Sequence, residues 1–160
     1  MITIIAGQLN EGKTSTLLKM YNTSKQGDGF ACIKVIENNL HTKYNFYRLS
    51  NHEEIPFMVK LEYLNDKTYY NQTFKNYAYC DKALNKVKDV IEELIKNKIE
   101  PIYLDEVGLL EITGFGHDET LRLLLDSHLD IIITVRDKFI DKVISNYHLN
   151  NYRIVGVQDE

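Results

Sequence analysis

The chain has 160 residues, of which 44% are hydrophobic and 26% charged, and its net charge is −4. That length suits one domain with a real core, and the balance excludes a disordered chain. The slight acidity argues against a nucleic-acid clamp, and no apolar run approaches the roughly 20 residues a membrane helix needs.

The opening MITIIAGQ carries neither a basic leader nor a small-residue cleavage site, so a cytoplasmic protein is expected. It begins with a short β-branched stretch, Ile2 to Ala6, that reads as a buried strand. A glycine-containing loop follows, then a helical stretch from about Lys13 to Ser24. Three strand-like segments come next, Phe30 to Ile36, Tyr44 to Leu49 and Pro56 to Leu64. Asn38-Asn39 joins the first two with residues that tolerate the positive φ of a hairpin turn. This middle section reads as an antiparallel ribbon.

From Asp81, taken as an N-cap, apolar residues at Ala83, Leu84, Val87, Val90, Ile91, Leu94 and Ile95 trace one helical face. The segment Pro101 to Leu104 reads as a strand ending on Asp105-Glu106. A helix from Asp118 to Ser127, a strand from Ile131 to Val135, a helix over about Lys138 to Tyr147 and a strand from Arg153 to Val157 complete the chain. Strands alternating with helices in the outer thirds predict an α/β domain over residues 1–160. Its expected architecture is a three-layer sandwich whose mainly parallel sheet carries an inserted antiparallel β-ribbon.

Cys32 and Cys80 lack metal or redox spacing and read as small buried hydrophobes. Lysine and asparagine are abundant, a bias that fits an AT-rich bacterial genome. The four arginines, Arg48, Arg122, Arg136 and Arg153, are then a short list for phosphate chemistry.

The stretch Gly7-Gln8-Leu9-Asn10-Glu11-Gly12-Lys13-Thr14 fits G-x-x-x-x-G-K-[ST], placed after a strand and at the head of a helix. Consecutive backbone N–H groups of such a Walker A loop, continuing into Ser15, curl around a phosphate, and the helix N-terminus adds partial positive charge. Lys13 would reach the β- and γ-phosphates, and the Thr14 hydroxyl would ligate Mg²⁺. Asn10 adopts positive φ more readily than most residues. A Glu11 carboxylate beside phosphate repels it, so this side chain is expected to point outward.

Ile102-Tyr103-Leu104-Asp105-Glu106 has the form of a Walker B segment. Asp105 would hold the Mg²⁺ shell, and Glu106 would polarise the attacking water. Arg136, at the carboxyl end of its strand, is the arginine best placed to meet the γ-phosphate.

These residues match a family. Asp105-Glu106-Val107-Gly108-Leu109-Leu110-Glu111 follows its D-E-h-G-x-h-E pattern, and Gly29-Phe30, Phe46 and Phe74-Lys75-Asn76-Tyr77 fall in the same order. The chain resembles the small nucleoside-triphosphatases first named from thermophiles, whose animal members are called cancer-related nucleoside-triphosphatases. It departs from them at Leu9-Asn10, where the family usually has Pro-Gly, at Lys43-Tyr44-Asn45-Phe46 and at Lys34. The resemblance implies slow Mg²⁺-dependent hydrolysis of ATP, GTP and other nucleoside triphosphates, with Glu111 supporting the site.

Rival readings are a nucleoside or nucleotide kinase and a slow-turnover nucleotide-gated switch or assembly subunit. Four dispersed arginines make a kinase lid thin, and Glu106 favours hydrolysis. The aromatics Tyr63, Tyr69, Tyr70, Phe74, Tyr77 and Tyr79 offer a surface for a protein partner or a second copy, or stack a base, while packing under the ribbon is expected of most of them. Asn97-Lys98-Ile99-Glu100 imitates a guanine-reading motif but sits before the Walker B strand with Glu in place of Asp.

Overall fold

In the computed structural model, which describes residues 1–157, the chain alternates strand and helix at its two ends and runs through consecutive strands in the middle. The elements are β1 (Ile2–Gly7), α1 (Lys13–Ser24), β2 (Asp28–Glu37), β3 (Leu40–Arg48), β4 (Glu54–Lys60), β5 (Gln72–Phe74) and β6 (Tyr77–Tyr79). They continue as α2 (Asp81–Lys96), β7 (Ile102–Leu104), α3 (Leu109–Ile112), α4 (Asp118–Ser127), β8 (Ile131–Arg136), α5 (Ile140–Asn146) and β9 (Tyr152–Gly156).

The central strands are apolar on both sides because both faces of the sheet are buried. Ile4, Ile102, Leu104, Ile131 and Ile133 face a core shared with Val87 and Ile91 of α2, Leu124 of α4 and Val143 of α5. Their alternates Ile5, Tyr103 and Ile132 face the opposite side, where Leu17, Leu18, Met20 and Tyr21 of α1 cover them. The period of two along each strand thus divides one sequence between two cores.

All nine strands join one sheet in the order β5-β6-β4-β3-β2-β7-β8-β1-β9. Pairing is parallel from β2 through β7, β8 and β1 to β9. It is antiparallel from β2 outward through β3, β4, β6 and β5. The sheet is therefore evenly mixed, which corrects the expectation of a mainly parallel one. No α-helix crosses over between β2 and β6, and without a crossover the chain doubles back, which pairs neighbouring strands antiparallel. Asn38 and Asn39 make the first turn with φ 51° and 65°.

Three local readings change. The strand expected over Pro56 to Leu64 stops at Lys60 and becomes a tight helical turn, Leu61–Tyr63. The N-cap position of α2 belongs to Cys80, and the Asp81 carboxylate instead accepts hydrogen bonds from Asn71 Nδ2 and Gln72 Nε2. The helix expected from Lys138 begins at Ile140, after a short helical turn over Asp137–Phe139.

β2 holds the key position. Its first three residues pair with all of β7, and it then runs past the carboxyl end of that strand to pair with β3. The approach is close enough that a Cβ on Gly29, at φ 148°, would lie 2.1 Å from the Tyr103 carbonyl oxygen. Only glycine fits there. At the start of β2, buried Asp28 accepts from Arg48 (2.9 Å) and from Ser50 Oγ (2.7 Å), fastening the end of β3 to it.

Candidate active site

The carboxyl ends of β1, β7 and β8 open on one cavity of about 700 Å³. Its near side is the glycine loop. Gly12 adopts φ 96° immediately before α1, and Asn10 takes φ 59° as the sequence anticipates. Lys13 is buried and its Nζ donates to the Gln8 carbonyl, 2.6 Å away. Lys34 reaches over from β2 to Asn10 Oδ1 at 2.7 Å. Glu11 does not point away from the loop: its carboxylate folds back to accept the Gln8 N–H. A loop built to hold an anion here holds one of its own, which corrects the outward placement expected for Glu11.

Asp105 stands at the centre. It is 2% exposed and accepts from the Thr14 hydroxyl at 2.7 Å, the Cys32 amide at 2.9 Å and the Thr134 hydroxyl at 2.5 Å. Burial pushes its pKa up, and these donors oppose the rise by favouring the charged form. β8 lies between the strands that carry Asp105 and the glycine loop, so Thr134 bridges the two halves. Its hydroxyl also accepts the Glu106 N–H at 2.8 Å. Glu106 itself takes the left-handed conformation, φ 62°, and opens onto the cavity. Desolvation by the surrounding walls, reinforced by Asp105, pushes its pKa up to about 7, against the pull of Lys13, Arg136 and Lys34.

Arg136 lines the cavity from the end of β8. The other arginines are engaged elsewhere: Arg48 with Asp28, Arg122 with Asp118, Arg153 with the Thr3 hydroxyl. Glu111 is 3% exposed rather than a surface carboxylate. From α3 it accepts the amides of Gly108 (2.7 Å) and His117 (2.9 Å), and burial raises its pKa to about 7. It closes the loop after Glu106 onto the start of α4. Gly7, Gln8, Leu9, Gly12 and Ser15 complete the loop, with Leu9, Gly12 and Ser15 on the cavity wall.

Thr134, Cys32 and His117 also hold the site together and lie outside both sequence motifs. A threonine in the otherwise apolar run Ile131-Ile132-Ile133-Thr134-Val135 was the available signal, because a fully buried hydroxyl must have a partner. Cys32 acts through its backbone, which no side-chain pattern reveals. As for a metal, the donors beside the loop are hard oxygens, a hydroxyl and a carboxylate. They suit Mg²⁺, which needs one or two protein oxygens when phosphates and waters supply the rest. The described residues contain no cluster of three or more His, Cys, Asp or Glu able to hold a metal unaided, and no helix long and apolar enough to cross a membrane.

A glycine loop, a buried acid at a strand end and a second acid beside it are brought together here, and comparison gives the class. Residues 2–160 match the family model described as NTPase, and the chain belongs to that family. In structure it is similar to THEP1 from the hyperthermophile Aquifex aeolicus, with a TM-score of 0.73 and 17% identity over 98% of this chain and 90% of that one. It is also similar to a human cancer-related nucleoside triphosphatase, with a TM-score of 0.68 and 14% identity over 99% and 89% of the two chains. No curated protein sequence matches significantly.

Proposed function

We propose that residues 1–160 form one three-layer P-loop NTPase domain, in which β3 to β6 are an antiparallel insertion, and that it hydrolyses nucleoside triphosphates to diphosphate and phosphate. The observation that carries the reading is the 2.7 Å hydrogen bond from Thr14 to Asp105, which joins two motifs 91 residues apart, Thr14 and Glu106 from the two motifs lining one cavity. The amides of residues 7–15 and the Lys13 ammonium hold the phosphates. In this reading the Thr14 hydroxyl would ligate Mg²⁺ and Asp105 would hold its shell through water, and the ion would supply positive charge to the phosphate oxygens. Lys13 exchanges the Gln8 carbonyl for a phosphate oxygen. Glu106 orients a water toward the γ-phosphorus and accepts its proton, a role matched by a pKa near neutrality. Arg136 faces the charge that grows on the transferred group, and Glu111 keeps the adjoining loop in place. Family membership supports a nucleotide substrate, and a cytoplasmic bacterial enzyme acting on ATP, GTP or both fits the composition.

The test is phosphate release from a panel of Mg²⁺-nucleoside triphosphates, with Glu106→Gln beside the wild type. Release without any acceptor, lost in the variant while nucleotide still binds, is the expected result. Tight binding with no release by wild type refutes the hydrolase. Lys13→Ala is expected to abolish binding, and a variant that bound ATP as well as wild type would refute the loop assignment.

A further inference from the structure

The cavity extends well beyond what water needs. From the glycine loop on β1 it passes Glu106 at the tip of β7 and continues under β2, β3 and β4. There its walls become aromatic: Phe46 and Phe57 are stacked at 4.1 Å, with the His117 ring 5.1 Å from Phe46. Tyr44 and Tyr77, both half-buried, line the cavity as well. His117 is only 3% exposed, yet its Nδ1 has no hydrogen-bond partner. A buried orphan of this kind is costly unless a ligand satisfies it.

The roles proposed above say what such a ligand would be. Displacement at the γ-phosphorus is in line, so the nucleophile enters from the side opposite the departing diphosphate. With the loop holding the phosphates and Glu106 receiving the proton, that side is the Glu106 side, and the aromatic residues line the same cavity as Glu106. The Glu106 carboxylate repels an anionic acceptor but can take the proton of a hydroxyl.

We propose that the aromatic half of the cavity binds a hydroxyl-bearing heteroaromatic compound of nucleoside type as phosphoryl acceptor, its ring against Tyr77 and the edge of the Phe46–Phe57 stack and its polar edge on His117 Nδ1. The inference rests on the phosphate-loop and Glu106 roles proposed above. The acceptor oxygen forms a bond to the γ-phosphorus as the bond from that phosphorus to the β–γ bridging oxygen breaks. The electron pair leaves with the diphosphate, and the hydroxyl proton passes to the Glu106 carboxylate. Water entering the same place gives hydrolysis, so one site serves both reactions. Burial holds the His117 pKa down at about 4, which keeps the ring neutral and able to accept or donate a single hydrogen bond.

The experiment incubates the full chain with Mg²⁺ and γ-³²P-labelled ATP in the presence of each common ribonucleoside and deoxyribonucleoside, then separates labelled phosphate from labelled monophosphate. At least one nucleoside is expected to become labelled, and to raise the melting temperature of the protein without nucleotide present. His117→Phe keeps the stacking surface and removes the polar edge. It is expected to raise the KM for that nucleoside about tenfold with a smaller change in kcat, the loss of one buried hydrogen bond. Tyr77→Ala, at a half-exposed edge, is expected to raise the same KM in a variant whose fold is checked by circular dichroism. Phosphate release with no labelled nucleoside and no thermal shift from any of them overturns the acceptor site and leaves the hydrolase standing. Failure of ATP to bind overturns the loop assignment instead.

Discussion

Glu11 and Thr134 show how single side chains set the terms for an anion at this site. The Glu11 carboxylate occupies the Gln8 amide of a loop shaped for phosphate, so incoming nucleotide must displace it or tolerate it. Glu11→Gln is expected to tighten Mg²⁺-ATP binding about fivefold, the equivalent of roughly 1 kcal/mol for one charge at a helix N-terminus. Calorimetric titration checks this, and unchanged or weaker affinity would show that the carboxylate is not a competitor. Thr134 is fully buried and serves both acids, donating to Asp105 and accepting from the Glu106 amide. Thr134→Val keeps the shape and removes one hydrogen bond from Asp105 and one from the Glu106 amide, which keeps Asp105 Oδ1 at 3.1 Å, and is expected to cost about 1–2 kcal/mol of stability. It should also lower kcat more than nucleotide affinity, measured by denaturant unfolding and single-turnover kinetics. A variant with wild-type stability and turnover would remove Thr134 from the site.

At the level of elements, β2 and α3 carry the arrangement. β2 reaches Asp105 through the Cys32 amide only because Gly29 lets it lie against Tyr103. Gly29→Ala is expected to part β2 from β7, visible as a lowered melting temperature together with weakened nucleotide binding. α3 brings Glu111 into a dry setting, where it keeps its proton up to about pH 7 although its ordinary value is 4.5. The folded state therefore binds this proton more tightly than the unfolded chain. Its contribution to stability is full below the unfolded value and is lost as pH rises through the folded one. Wild type is expected to lose stability between about pH 5 and pH 8, and Glu111→Gln to flatten that slope in urea titrations. Long periodic segments such as α2 and buried runs such as β1 and β8 were legible in the sequence because one residue spacing determined each. Short pieces were not. β5, β6 and α3 have three or four residues each, too few to show a period, and are held by neighbours.

Across the whole molecule, the site draws on β1, β7, β8, α3 and the overhanging β2, so ligand binding reports on the entire sheet. At ATP near 100 times its Kd the gain is about 2.7 kcal/mol, a rise of roughly 5–10 °C in Tm for a chain of this size. Lys13→Ala should show no such rise in a thermal melt. The phosphate half of the site could be read directly, since its residues fall in two contiguous motifs. The aromatic half could not, because Phe46, Phe57 and His117 come from three distant segments and meet only when the sheet forms. The same sheet separates chemistry from winding. Lys98, His128 and His148, all at positive φ, turn the chain after α2, α4 and α5 at the end of the sheet opposite the cavity. Asn97 to Glu100 are all exposed there. A fluorescent domain spliced into that rim would follow the molecule through a cell without touching a residue that handles phosphate.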